Sequence, residues 1–257
     1  MNVLITSGGT TEKIDAIRSI SNMSTGKLGS LIADRFAVEA NIDTVYYVCS
    51  GTAVKPQSGK AEIIYADSVS SLESAVKKVL ERTSVDIIVH SMAVSDYRVR
   101  SVTSTAILTN SLVSNLDEIR RLDNEAAGSA IASLLKNPES SISGSGKIRS
   151  DMEDMLLFME RTPKIISLFQ SLSPGSTLVG FKLLNNAPLE TLIDRGFQIL
   201  TQNKCSFVLA NDLKDITGGR HIGYLIDKRK SFTRYASKTD IAAAIVSAAI
   251  GERMNGS

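Results

Sequence analysis

Short β-branched runs alternate with helical-period segments along this chain, and that alternation constrains its fold more than any other feature. "NVLIT" (2–6) precedes "GKLGSLIADRFAVEA" (26–40), where Leu28, Leu31, Ile32, Phe36 and Ala40 recur at helical spacing, and "TVYYVC" (44–49) follows. "AEIIYA" (61–66), a helix from Asp67 or Ser68 to about Arg82, and the apolar "DIIVHSMAV" (86–94) continue the pattern. Strands joined through helices are parallel neighbours, so the expected fold is α/β, doubly wound and Rossmann-like, with a mostly parallel sheet. After "STLVGF" (176–181), a helix over 188–203 and "SFVLAND" (206–212), no helix separates "HIGYLID" (221–227) from "KSFTRYA" (230–236). That pair predicts an antiparallel C-terminal portion before a last helix over 238–252.

Between the halves, residues 99–146 are rich in Ser, Thr and Asn, with a helix expected near 112–136 and the Gly/Ser stretch "SSISGSG" at 140–146. The segment reads as an inserted surface excursion leading into a mobile flap, within a single domain of residues 1–257. At 257 residues and 43% hydrophobic content the chain can bury a sizeable core. Its 29 basic and 27 acidic residues nearly cancel, which predicts no nucleic-acid partner. No apolar run reaches membrane-spanning length and residues 1–25 lack the pattern of a secretion signal, so a cytoplasmic protein with no membrane partner is expected. Cys49 and Cys205 form no CxxC pair and sit in apolar stretches, as reduced, buried thiols do. His90 and His221 have no metal-ligand spacing, and no metal ligands are assigned.

A strand, glycines and a helix in succession place free backbone N–H groups and the positive helix end where an anion can sit. Here fourteen residues, 10–23, separate Gly9 from Ser24, so "SGGTT" (7–11) and "STGKLG" (24–29) do not make the G-x-G-x-x-G of a dinucleotide fold. The segment instead gathers Thr10, Arg18, Asn22, Ser24, Thr25 and Lys27 around one strand-to-helix joint, more donors than a helix cap uses. Such a surplus points to a polyphosphate. An NAD(P)-dependent dehydrogenase is the rival enzyme reading; its Tyr-x-x-x-Lys pattern occurs only as "YLIDK" (224–228), on an expected strand. A non-catalytic nucleotide-sensing protein is the rival from another class.

The stretch "SGGTTEKIDAIRSISNMSTGKLG" resembles the opening of the phosphopantothenate–cysteine ligase family, and "SMAVSDYRV" (91–99) resembles that family's Ala-Ala-Val-x-Asp-Tyr-Arg signature. "GKI" (146–148), "ERTPKII" (160–166), "VGFK" (179–182) and "LANDL" (209–213) follow in the family's order, nearly end to end. The resemblance is to the stand-alone form, without the flavin-dependent decarboxylase half, so no flavin is expected. It implies joining of 4'-phosphopantothenate to L-cysteine in coenzyme A biosynthesis, with Mg²⁺, with CTP favoured over ATP as cosubstrate, and with a homodimer sharing its active site.

Carried over by matching position, the resemblance assigns Gly8, Gly9, Ser24, Gly26 and Gly29 to the triphosphate and Asn22 to the acyl group, with Arg18 and Asp15 in support. Lys147 matches the flap lysine of nucleotidyl transfer; Asn22, Lys147 and Arg18 are thus the implied catalytic residues. His90, Ser91, Met92, Asp96, Phe181, Lys204 and the turn Pro163, Lys164, Ile165 and Ile166 complete the implied nucleotide site, while Asn22, Met92, Ala93 and Asp96 meet phosphopantothenate. Met92 stands where the family usually has alanine, Thr11 where proline is common, and Arg149 and Ser150 where further lysines often follow.

Overall fold

A computed structural model describes residues 1–138, 153–217 and 220–255, and the chain divides into two compact units. The first comprises Met1–Thr10, Asn22–Val94 and Lys164–Ser257; the second comprises Thr11–Ser21 and Ser95–Pro163.

The first unit is built on an eight-stranded sheet. Its strands are β1 (Asn2–Ser7), β2 (Thr44–Cys49), β3 (Ala61–Tyr65), β4 (Ile87–His90), β5 (Thr177–Leu184), β6 (Phe207–Asp212), β7 (Gly223–Asp227) and β8 (Phe232–Tyr235), in the spatial order β8-β7-β6-β5-β4-β1-β2-β3. β3 through β6 run parallel, and β7 and β8 are added antiparallel, as the sequence predicts. In β1 the side chains alternate between two apolar layers, the signature of a strand buried on both sides. Val3 and Ile5 join Tyr47, Val89 and Leu209 beneath helices α1 (Lys27–Ala37) and, at the chain's end, α5 (Lys238–Asn255). Leu4 joins Val48, Ile88 and Val208 beneath α2 (Val69–Arg82), α3 (Ile165–Leu172) and α4 (Leu189–Gln202). Phe36, Tyr47 and Phe169 are among the largest fully buried side chains; removing each from water favours the fold by roughly 1.5–3 kcal/mol.

Two polar devices fix the joints of this sheet. Ser68 caps α2 by accepting the Ser71 N–H, while Ser71 Oγ accepts the Ser68 N–H, a reciprocal cap that explains why the helix starts there. Asp212, at the end of β6, accepts N–H groups from Asn186, Ala187 and Lys214 at 2.7–3.0 Å and so ties two turns together. Both cysteines are buried free thiols. Burial raises the pKa of Cys49 and pushes that of Cys205 up to about 12.

In the second unit, Thr11–Lys13 and Ser19–Ser21 form a short hairpin, and Tyr97–Thr103 pairs antiparallel with Leu156–Arg161. Ile14, Val102, Ile20, Val99 and Leu157 make its small core. The single helix expected near 112–136 is instead three, Thr105–Ser114, Leu116–Ile119 and Asn124–Lys136. An internal cap divides it: Asp123 Oδ1 accepts the Ala126 N–H and starts the last helix, while the first begins upstream of 112, where Ser104 Oγ accepts the Ile107 N–H. The stretch "SSISGSG", Lys147, Arg149 and Ser150 lie outside the described residues.

Candidate active site

The strand order reverses between β1 and β4, with α1 leaving to one face and α3 packed on the other, and ligands of open α/β sheets bind at the carboxyl edge of such a reversal. Gly8 and Gly9 follow β1, and Ser91, Met92 and Ala93 follow β4, so the fold brings these five expected site residues to that edge. The two strand ends stay zipped: Ser91 N donates to Thr6 O (3.0 Å), Ala93 N to Gly8 O (2.8 Å) and Thr10 N to Ala93 O (3.1 Å).

Each glycine here answers a separate steric demand. Gly8, at φ 90°, occupies left-handed backbone against Ser50 and Ala53. At Gly9 a Cβ would lie 1.9 Å from the carbonyl oxygen of Asn22, where the returning chain is held by the Asn22 N–H donating to Thr10 O at 2.9 Å. Gly26, at φ 69°, is the N-cap of α1, which has no side-chain cap. At Gly29 a Cβ would lie 2.2 Å from Ser7 Oγ and 2.9 Å from Ser91 Oγ, so its absence lets the first turn of α1 close onto the ends of β1 and β4. The result is a backbone-lined cradle. Ser24, Thr25 and Lys27 lie exposed on its rim, and Asn22 is half-buried beside Gly9.

The other expected residues differ in burial and in the unit they belong to. Met92 is buried in the core beneath α2 and α3, and Ile165 is buried in the same layer. Lys164, exposed, precedes the first turn of α3, and Ile166 is half-buried behind it. Phe181 is half-buried in the layer shared with α1. Asp15, Arg18, Asp96 and Pro163 belong to the second unit. There the Asp15 carboxylate accepts the Ile17 and Arg18 N–H groups and pairs with the Arg18 guanidinium at 3.1 Å. Asp96 is exposed, its carbonyl accepting the Thr162 N–H.

Lys204 is not brought to this cluster. It sits in the left-handed turn between α4 and β6 (φ 50°), at the amino edge of the sheet, lining a cleft of about 480 Å³ with Gln170, Ser206, Lys228 and Arg253. The six residues of β6 span about 20 Å from that turn to the carboxyl edge, farther than a lysine side chain reaches.

His90 ends β4 with Nδ1 2.7 Å from Thr6 Oγ1 and its ring edge-on to Phe169, centroids 5.2 Å apart. Burial pushes its pKa down to about 4, so the imidazole is neutral at the carboxyl edge. An unfolded histidine binds its proton near pH 6.5 and the folded one only near 4, so this contribution to stability is complete above 6.5 and is lost as pH falls toward 4. The loss at pH 4 is roughly 3 kcal/mol. Urea titrations at pH 7 and 5 are expected to show a decline in wild type that is smaller by about 2 kcal/mol in His90→Asn; equal declines would place the proton uptake elsewhere.

Residues that the sequence reading did not single out also build the cradle: Ser7, Tyr47 and the loop Ser50–Val54, on which Gly8 and Gly26 close. The only prior signal was a tyrosine at an inward position of an apolar strand. The acidic residue that follows the second strand of many NAD-binding folds has no counterpart, since Cys49 and Ser50 stand there.

The family described as DNA/pantothenate metabolism flavoprotein C-terminal domain matches residues 1–123. The chain is 28% identical over 247 residues to the coenzyme A biosynthesis bifunctional protein CoaBC of Methanocaldococcus jannaschii, covering 95% of this chain and 49% of that protein. It is likewise 28% identical over 212 residues to the CoaBC protein of Thermococcus kodakarensis, covering 82% and 41%. The chain thus spans about half the length of the curated relatives it matches. Among solved structures, a Cab2 variant carrying H337A shares the fold, with a TM-score of 0.67 at 15% identity over 99% of this chain and 88% of that one. The DNA/pantothenate metabolism flavoprotein of Streptococcus pneumoniae superposes with a TM-score of 0.75 at 30% identity, covering 96% of this chain and 97% of that one. With that identity extending over nearly the whole of both chains, and with the glycine cradle inside the matched segment, this chain belongs to the DNA/pantothenate metabolism flavoprotein family, in its C-terminal-domain part.

Proposed function

We propose that this chain joins 4'-phosphopantothenate to L-cysteine through an acyl-nucleotide, the phosphopantothenoylcysteine synthetase step of coenzyme A biosynthesis, in the cytoplasm. The carrying observation is the four-glycine cradle at the carboxyl edge, where the missing Cβ atoms let the end of β1, the returning chain at Asn22 and the first turn of α1 close together. The relatives support the reading: two are named as coenzyme A biosynthesis proteins, and the Cab2 variant was solved with phosphopantothenate-cysteine.

The chemistry accounts for such a site. A carboxylate resists attack by an amine because an oxide would have to leave. Its oxygen therefore attacks the α-phosphorus of the nucleotide; the new O–P bond replaces the bond to the β-phosphate, and pyrophosphate departs. The cysteine nitrogen then attacks the acyl carbon; the new C–N bond replaces the C–O bond, and the nucleoside monophosphate leaves with the electron pair. Both steps depend on alignment and charge neutralisation. In this reading Gly8, Gly9, Ser24, Gly26 and Gly29 cradle the triphosphate, and Lys147 offsets its charge. Phe181, His90, Ser91, the Asp96 turn and Pro163 to Ile166 border the nucleotide. The Asn22 amide holds the acyl group with Met92, Ala93 and Asp96, supported by Arg18.

Among the described residues no three His, Cys, Asp or Glu side chains gather to hold a metal ion. A Mg²⁺ bound mainly by the substrate's own phosphates is part of the proposal. CTP as the preferred nucleotide and a homodimer sharing its active site belong to the same proposal. Among the described residues no helix is long and apolar enough to cross a membrane.

Purified protein with Mg²⁺ and phosphopantothenate, supplied with CTP or ATP and with or without cysteine, provides the test. Sustained pyrophosphate release that requires cysteine, faster with CTP, is the expected result. Binding of nucleotide without turnover would replace this reading with that of a sensor.

A further inference from the structure

The Gly26 carbonyl, which accepts the Ser30 N–H of α1 at 3.0 Å, is also held from the sheet by the buried Ser7 hydroxyl, and the buried Tyr47 hydroxyl lies against it while holding the neighbouring loop. Ser7 Oγ donates to the Gly26 carbonyl at 3.1 Å and Tyr47 OH approaches at 3.4 Å while donating to the Val54 carbonyl at 2.9 Å. The Val54 N–H in turn donates to Thr25 O at 2.9 Å, closing a ring of contacts around the left-handed Gly26. On the α1 side of β2, Tyr47 alternates with Val45 and Cys49, and all three are fully buried. Phenylalanine would fill the same space. What the hydroxyl adds is the grip on the loop. Burial pushes the Tyr47 pKa well above its ordinary value, so the hydroxyl keeps its proton and remains a donor.

We propose that Tyr47 and Ser7 are positioning residues for nucleotide phosphate, aiming the first N–H of α1 into the cradle by holding the Gly26 carbonyl toward the sheet. In a trans peptide the carbonyl and the following N–H point in opposite directions, so drawing Gly26 O inward turns the Lys27 N–H outward. Among the described residues that N–H reaches Thr25 Oγ1 alone, at 3.4 Å on the exposed rim, a contact long enough for a phosphate oxygen to displace. The positive end of an eleven-residue helix lies behind it. This inference rests on the ligase reading for the identity of the phosphate.

The test compares Tyr47→Phe with Tyr46→Phe, since Tyr46 OH bonds Thr83 Oγ1 at 3.3 Å and packs in the layer on the opposite face of the sheet. Tyr47→Phe is expected to raise the KM for nucleotide about 10-fold, the equivalent of one hydrogen bond, with the KM for cysteine unchanged. Tyr46→Phe is expected to lower Tm without moving either constant. In the free protein, amide exchange at Val54, whose N–H donates to Thr25 O, is expected to accelerate about 10-fold in Tyr47→Phe alone. Ser7→Ala, which leaves the core volume nearly intact, is expected to act in the same direction. Equal nucleotide KM and equal Val54 exchange in the two tyrosine variants would overturn the inference while leaving the ligase reading in place. If wild type shows no cysteine-dependent turnover, the ligase reading fails, and calorimetric binding of inorganic tripolyphosphate with Val54 exchange decides the inference: weaker binding and faster exchange in Tyr47→Phe sustain it, and no difference overturns it.

Discussion

Gly9→Ala is expected to cut turnover about 100-fold or more while the protein stays folded. The added methyl would sit 1.9 Å from the Asn22 carbonyl oxygen and 3.0 Å from its carbon, and both belong to backbone. A flexible side chain could rotate away from such a contact. Here relief requires moving the returning strand, which the Asn22–Thr10 hydrogen bond pins to β1 and which carries Ser24 and Gly26 just beyond. A displacement near 1 Å in a phosphate-positioning loop is enough for a loss of that size. Gly128→Ala is the matching control: nothing lies within 4 Å of its added methyl, in the helix Asn124–Lys136, and the change should raise stability by about 0.5–1 kcal/mol. Steady-state pyrophosphate release with circular dichroism melts of both variants reads the result; near-normal turnover in Gly9→Ala would show that the cradle geometry is not what activity depends on.

Asn22→Asp is expected to divide the reaction in two. The change keeps size and shape but replaces the amide donor with an anionic acceptor, so it strikes the step in which developing negative charge needs a donor. Nucleotidyl transfer should persist, with one equivalent of pyrophosphate released and the acyl-nucleotide retained, while cysteine-dependent product formation falls about 10²–10³-fold, the scale of removing one such donor. Lys147→Gln should do the opposite, suppressing the pyrophosphate burst. Rapid quench with chromatographic separation of the intermediate distinguishes the two lesions, and normal product formation by both variants would remove Asn22 and Lys147 from their roles.

The two units differ in how far their residue pattern reveals them. β1, β2 and β4 carry apolar side chains on both faces and are separated by amphipathic helices, so their parallel pairing follows from local pattern. The antiparallel pair β7 and β8 was legible for the complementary reason, that no helix lies between them. Thr11–Lys13 and Ser19–Ser21 have three residues each, too few to display a period, and the alternation in Tyr97–Thr103 is broken by an irregularity between Val99 and Ser101. "LLFMER" (156–161) shows no alternation at all. In the candidate site the glycines announce themselves by type. Tyr47 does not, because a core position and a hydroxyl aimed at a loop look alike until the strand's register is known, and matching a family position did not reveal that Lys204 stands at the amino edge of the sheet.

Under the proposed reaction, which takes up one free thiol and releases another, the burial of Cys49 and Cys205 acquires a further meaning. Mixed disulfides form through attack by a thiolate on an accessible sulfur, and both conditions are withheld. A thiol with a pKa of about 12, as at Cys205, is ionised to roughly one part in ten thousand at pH 8, and neither sulfur is open to a visiting molecule. The two residues therefore behave as small apolar side chains in the packing of the sheet. In the proposed reaction, thiols passing the carboxyl edge would leave the scaffold chemically untouched.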